Sequence, residues 1–200
     1  MEVFNFERDQ KAIENLHEIL FGNYNVVVIT GAGISTLSGI SDFRGINGLY
    51  ARNPENIKKF YREYLENDPK GFYDFYTSQM MHEGIKPNIV HEVLAKLEER
   101  GLINLIITQN IDGLHQKAGS KTVYEIHGSI LRNYCRRCGE FYDAAYVKNS
   151  EGIPKCSCGG TIKPDVVLYE ESLDSGLIQK SIQAISQADT LIIGGTSLVV

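Results

Sequence analysis

The 200-residue chain, 42% hydrophobic, is long enough to bury one sizeable core with a small insertion beside it, and a second full domain is not expected. Its net charge of -5 excludes the broad positive surface that phosphate-backbone binding requires, so nucleic acid is not an expected partner, although a cationic peptide would be tolerated. Apolar runs such as Val26–Ile29 fall far short of the roughly 20 residues that span a bilayer, and the N-terminus carries Glu2, Glu7 and Asp9 where a signal peptide would be basic, so a soluble, cytoplasmic protein with no membrane partner is expected.

In chain order, Arg8–Phe21 reads as an amphipathic helix with Ile13, Leu16, Ile19 and Leu20 inward and Gly22 as its stop. Val26–Thr30 is a β-branched run breaking at Gly31-Ala32-Gly33, the pattern of a buried strand feeding a glycine turn. Residues 46–83 are rich in Tyr and Phe and loosely helical. Pro87–Arg100 places Val90, Val93, Leu94 and Leu97 on a second helical stripe, closed by Gly101 before the strand Leu102–Thr108. Val123–Ile126 and Ile162–Leu168 read as strands, Leu173–Ala188 as a helix with Leu177, Ile178, Ile182 and Ile185 inward, and Thr190–Ile193 as another buried strand. This alternation predicts an α/β fold with a doubly wound, mostly parallel, Rossmann-like sheet, interrupted by a cysteine-bearing insertion.

The loop Gly31–Gly39 follows a strand, so its backbone N–H groups are placed to cradle a pyrophosphate, or it is simply a turn. It departs from the dehydrogenase fingerprint, because the third glycine falls on Thr36 and no acidic residue closes a second strand. Next, Phe43 and Arg44 offer an aromatic ring and a guanidinium to cover a nucleotide, against a plain surface Asp42–Arg44 pair. Thr108-Gln109-Asn110-Ile111-Asp112-Gly113 stands at the carboxyl end of a strand, where open α/β sheets place ligand chemistry, although an Asn or Asp there also caps helices. His127, between a strand and Gly128, suits a general base at neutral pH, the alternative being a structural histidine. His17, His82, His91 and His115 lie on expected helices or their ends and receive no catalytic role. Gly194-Gly195-Thr196-Ser197 is another strand-end turn with hydroxyls for phosphate or ribose.

All four cysteines fall in one stretch, Cys135-x2-Cys138 and, seventeen residues later, Cys156-x-Cys158, with glycines at 139, 159 and 160 shaping the turns. Four soft ligands at this spacing predict one tetrahedral zinc ion, closed to water and therefore structural; free thiols or a disulfide pair are the alternatives. Lys163–Glu171 reads as an extended apolar strand ending in acids. Its free edge is suited to pairing with a peptide backbone, with Val167 and Tyr169 lining a slot, or it is a core strand.

Taken together, GAGISTLSGISDFRG, TQNIDGLHQKAG, IHGS, the cysteine pairs, KPDVVLYEE and GGTS resemble, in order, the successive signatures of the sirtuins, NAD-dependent protein deacylases, over residues 26–198. The resemblance implies an NAD-binding domain from residues 1–45, 85–130 and 160–200, and a small domain from a helical insertion at 46–84 and a zinc-ribbon insertion at 131–159. It implies that Ala32, Gly33, Ser35, Thr36, Phe43 and Arg44 form the cofactor loop, that Gln109, Asn110, Ile111 and Asp112 surround nicotinamide and its ribose, and that Thr196 and Ser197 touch phosphate and ribose. His127 is similar to the family's general base, with Asn110 and Asp112 beside it in the catalytic set, and Val167 and Tyr169 belong to the tunnel for an acetylated lysine of a protein or peptide. The implied reaction needs no Ser or Cys nucleophile: the acyl oxygen attacks the ribose as nicotinamide leaves, and His127 activates a ribose hydroxyl. A neutral acetyl-lysine enters an apolar tunnel readily, whereas a free ammonium would first have to be desolvated.

Three departures qualify the resemblance. Glu170 stands where many relatives have glycine, and Tyr169 where many have phenylalanine, which bears on peptide selection. Phe72–Tyr76 lacks the Tyr-x-x-Arg pair of relatives that prefer acidic acyl groups, so acetyl is expected over succinyl. The family continues beyond the GGTS motif, so an end at Val200 implies an exposed sheet edge and a half-built adenine pocket, with weak NAD binding, poor stability or a tail not represented. The rival readings are mono-ADP-ribosyl transfer with the same His127, a catalytically dead zinc-bearing module that binds acetyl-lysine, and, more distantly, a dehydrogenase.

Overall fold

The computed structural model describes residues 6–22, 24–82 and 84–198, with the side chains of residues 6–8 excepted. The signal-peptide reading rests partly on residues 1–5, and Glu83 ends the expected helical stretch; both lie outside the described residues, as does Val200. In chain order the elements are α1 (Phe6–Phe21), β1 (Val26–Thr30), a 3-10 helix (Ala32–Ser38), α2 (Leu49–Arg52), a second 3-10 helix (Pro54–Phe60), α3 (Arg62–Asn67), α4 (Pro69–Gln79) and α5 (Ile89–Glu99). There follow β2 (Leu105–Thr108), α6 (Leu114–Ala118), β3 (Val123–Glu125), β4 (Gly128–Cys135), β5 (Phe141–Asp143), α7 (Ala144–Asn149), β6 (Ile162–Val166), α8 (Ser175–Ser186) and β7 (Thr190–Gly194).

Four strands form a parallel sheet in the order β3-β2-β1-β7, with Val27 opposite both Leu105 and Leu191. β1 is apolar from Val26 to Ile29 because both of its faces are covered. Val26 and Val28 look toward α1 and α5, meeting Ile19, Leu20, Val90 and Leu94, while Val27 looks toward α8, meeting Ala184 and Ile185. α5 begins where Asn88 caps it: the Asn88 side chain accepts the Val90 N–H, and His91 Nδ1 accepts the Asn88 N–H.

The expected inward stripes are partly corrected. Only the last turn of α1 reaches the sheet, so Ile13 and Leu16 are exposed while Ile19 and Leu20 pack. On α5 the buried line runs through His91, Leu94 and Ala95, and Val93 is exposed. On α8 the small residues Ser181 and Ala184, with Ala188 just beyond it, allow close approach to the sheet, which turns Ile182 out to solvent at 62% exposure. Apolarity alone marks the largest side chains, whereas close packing here favours the smallest.

A larger correction concerns the strand expected at 162–168 within the parallel sheet. It ends at Val166 and pairs antiparallel with β4, in a separate sheet ordered β5-β4-β6, with an irregular register between Ser129 and Asn133. β4 itself was hidden in the sequence, since its polar and apolar residues follow no single alternation across that irregularity. This sheet and the aromatic helices share one core: Leu65, Phe72, Tyr73 and Tyr76 pack with Ile130, Val147, Ile162, Val166 and Leu168. The expected helical and cysteine-bearing insertions therefore bury each other's apolar surface. Among the described residues no helix is long and apolar enough to cross a membrane.

Candidate active site and thiolate cluster

The carboxyl ends of β1, β2, β3 and β7 converge. Behind β1, the glycine turn packs against the turn behind β7: Gly31 and Gly33 donate to the carbonyls of Gly194 and Gly195 at 3.1 and 2.8 Å. A Cβ on Gly33 would lie 2.9 Å from the Gly195 backbone, and one on Gly195, whose φ is +66°, would lie 2.4 Å from the Ile34 nitrogen. The glycines are thus required by close approach of two backbones. The amides of Gly31 and Gly33 are already bonded within the protein.

Gln109, at the end of β2, links the other three strand ends to its own. Its N–H donates to the Thr30 carbonyl at 2.9 Å, its side-chain oxygen accepts the Thr196 hydroxyl at 2.7 Å, and its carbonyl lies 2.9 Å from His127 Nδ1. A carbonyl can only accept, so Nδ1 carries the ring proton and Nε2 holds the lone pair. That is the tautomer a general base needs, in a half-buried imidazole.

Ser35 has no solvent exposure and is the meeting point of the polar groups. Its hydroxyl donates to Asp112 Oδ2 at 2.7 Å and accepts from Asn110 Nδ2 at 3.1 Å. His91 Nε2 stands 3.5 Å away and carries a proton, since Nδ1 accepts from Asn88. Asp112 also accepts the Leu114 N–H at 2.9 Å from one residue ahead of the α6 N-cap, Gly113, so it bonds the first helical amide while holding Ser35. Beneath them His115 Nε2 meets the Thr30 hydroxyl at 2.9 Å, and Thr30 donates to Thr108, whose hydroxyl accepts the Asn110 N–H. Burial holds both histidines below their ordinary pKa, His115 at about 4. Sequence reasoning set His91 and His115 aside; the capping position of His91, three residues after Asn88, was the signal for the first, and nothing local marked the second.

Of the other expected residues, Ile111 packs on the edge of the small-sheet core and its carbonyl accepts the Ile130 N–H at 2.9 Å, while the Thr36 hydroxyl turns back to the Gly33 carbonyl. Ala32 opens the first 3-10 helix beside them, and Ser197 follows Thr196 beyond β7. Asp42 and Arg44 do not pair: Asp42 accepts the Gly45 N–H, and Arg44 donates to the Tyr169 hydroxyl at 3.1 Å and lies over the Tyr50 ring. Phe43 packs against Tyr50 and Phe60. The edge expected to be free at Tyr169 is occupied. Its N–H donates to the Phe60 carbonyl at 2.8 Å and its carbonyl accepts from Arg62 at 3.1 Å, while the Val167 N–H donates to the His127 carbonyl at 3.0 Å. A recess of about 310 Å³ adjoins Asp112, walled by Ile40, Met80, Ile85, Leu114 and Ile130.

The four cysteine sulfurs lie within 4.8 Å of one another, and the pairs Cys135–Cys158 and Cys138–Cys156 are each 3.5 Å apart. That is far beyond a bond of about 2.05 Å between sulfurs and close to the edge of a tetrahedron with arms of about 2.3 Å. Backbone N–H groups of Arg137 and Cys158 point at Cys135 and Cys156, and Tyr142 together with the Cys158 amide pulls the Cys156 thiol down to about 6. Gly160 leaves room for the cluster, since a Cβ there would meet the Cys135 sulfur at 2.6 Å. The cluster fits one structural zinc ion.

The match with known proteins is consistent with this geometry. The Sir2 family model matches residues 31–200. An NAD-dependent protein deacetylase of Clostridium perfringens is 53% identical over 195 residues, 94% of this chain and 79% of that protein. A solved Sir2 variant with a deacetylated p53 peptide and 3'-O-acetyl ADP ribose superposes with a TM-score of 0.86 at 40% identity, covering 94% of this chain and 78% of that one. A Sir2–p53 peptide–NAD+ structure superposes with a TM-score of 0.82 at 40% identity, covering 94% and 77%. With a parallel sheet whose strand ends gather the expected polar residues, a four-thiolate cluster on a second sheet, and this degree of identity over nearly the whole chain, the protein belongs to the Sir2 family.

Proposed function

We propose that the chain is an NAD-dependent protein-lysine deacetylase, converting acetyl-lysine, NAD and water to lysine, nicotinamide and O-acetyl-ADP-ribose. The observation that carries the reading is the fixed tautomer of His127, whose Nδ1–H is held by the Gln109 carbonyl so that Nε2 is left basic. Relatives named NAD-dependent protein deacetylase at 53% identity support it, as do solved relatives with NAD+ and with the acetylated sugar.

The polar groups at the strand ends suit NAD by their chemistry: an amide and a carboxylate at Asn110 and Asp112 for carboxamide and ribose, hydroxyls at Thr196 and Ser197, and the ring of Phe43 with the cation of Arg44 for the remainder. Bound there, NAD supplies a ribose carbon from which nicotinamide departs as the acyl oxygen attacks. His127 then removes a proton from a ribose hydroxyl through Nε2 and returns it later. Ser35 orients Asn110 and Asp112 from below, and Val167 and Tyr169 wall the acyl-lysine slot. Cys135, Cys138, Cys156 and Cys158 hold one zinc ion whose role is to fix the small sheet, because four thiolates leave no position for water. We also propose two lobes, the parallel sheet with its helices and the β4–β5–β6 sheet with α2–α4, and a cytoplasmic location, where thiolates stay reduced.

The test is mass spectrometry of an acetylated peptide incubated with NAD. Loss of the acetyl group with matching nicotinamide release is expected, and His127→Ala should abolish both. ADP-ribose appearing on the peptide would favour the transferase reading, and peptide binding with no nicotinamide release would favour the inert module. Continued turnover in His127→Ala would remove this histidine from the mechanism.

A further inference from the structure

Arg132 sits on β4 within the irregular register between Ser129 and Asn133 and reaches two carboxylates. Its Nη1 donates to Glu125 Oε2 at 2.6 Å and its Nε donates to Asp165 Oδ2 at 2.8 Å. The three groups come from three strands, and two of those strands belong to different sheets. Glu125 ends β3 of the parallel sheet, opposite Thr108, immediately ahead of the turn that carries His127. Asp165 is on β6 opposite Ser129, two residues ahead of Val167, whose N–H donates to the His127 carbonyl at 3.0 Å. The Arg132 fork therefore spans the joint between the sheets at the point where the base and one wall of the slot meet.

Burial shows that this is not an ordinary surface ion pair. The Glu125 side chain is only 9% exposed, against 39% for Arg132 and 41% for Asp165. Exposed pairs contribute little, but a nearly buried carboxylate depends on its partner, and a planar guanidinium can hold two carboxylates at fixed angles where an ammonium cannot.

We propose that Arg132 is a positioning residue for the reaction proposed above, holding Glu125 and Asp165 together so that the His127 turn and Val167 keep their relative placement. The inference rests on that reading of His127, and the experiment separates the two. Wild type, Arg132→Lys, Arg132→Met and the double variant Glu125→Met/Arg132→Met are compared for thermal midpoint, kcat, and KM for NAD and for acetylated peptide. Arg132→Lys is expected to keep its midpoint and its KM for NAD while kcat falls on the order of 10- to 100-fold, the cost of a misplacement near 1 Å. Arg132→Met should lose both midpoint and kcat. The double variant, in which no buried carboxylate is stranded, should regain the midpoint and leave kcat low. Wild-type kcat in Arg132→Lys, or kcat returning together with the midpoint in the double variant, would overturn the proposal and make Arg132 purely structural. A wild-type protein that releases no nicotinamide would instead defeat the deacetylase reading itself.

Discussion

Ser35 gathers bonds to Asp112 and Asn110 while having no exposed surface, so its hydroxyl works from beneath the site. Removing it strands a carboxylate oxygen and an amide. Ser35→Ala is expected to lower stability by about 1–3 kcal/mol and turnover by roughly tenfold or more, read by chemical denaturation and by nicotinamide release. His115 adds a pH dependence. Burial lowers its pKa from 6.5 to about 4, so below pH 6.5 the unfolded chain takes up a proton that the folded chain refuses. Stability is then complete above pH 6.5 and falls as pH drops toward 4, by about 3 kcal/mol, with His91 acting in the same direction. Equilibrium denaturation at pH 7 and pH 4.5 checks this, and in His115→Gln the slope should flatten. At Glu170, φ is +73°, in the left-handed region that glycine adopts most readily. The left-handed region costs a non-glycine residue about 1–2 kcal/mol and glycine's extra chain freedom returns about half of that, so Glu170→Gly should raise the thermal midpoint slightly. Residue identities at the strand ends were legible because few side chains suit those positions. That Ser35 would be buried was not, since burial is a property of what packs over it.

Among elements, the small sheet depends most on its cysteines. Metal analysis should find one equivalent of zinc, and chelation should lower the thermal midpoint sharply, because structural zinc contributes on the order of 10 kcal/mol in small domains. Gly160→Ala should reduce zinc content, since its methyl would press on the Cys135 sulfur at 2.6 Å. The cysteine spacing anticipated the clustering of the four sulfurs. It did not reveal β4, nor that Ile162–Val166 joins it: five residues of strand fit either sheet, and only the shared core with Phe72, Tyr73 and Tyr76 decides which. Helix existence was readable, but the inward faces of α5 and α8 were less so, because their closest packing falls on His91, Ala95, Ser181 and Ala184.

At the scale of the molecule, the doubly covered parallel sheet was legible as alternating helices and strands, with Val26–Thr30 at its centre. The joining of sheets was not, because it depends on contacts far apart in sequence: Arg132 with Glu125 and Asp165, Ile111 with Ile130, and Tyr61 with Tyr169.

The last of these has a mechanical meaning. Phe60 and Arg62 bond both backbone groups of Tyr169, while the Tyr169 hydroxyl accepts a hydrogen bond from Arg44. One tyrosine is thereby hinged to the aromatic helices by its main chain and to the loop after β1 by its ring. Movement of that loop would therefore be passed to the tyrosine and, through its main chain, to the start of α3, without any helix having to unwind.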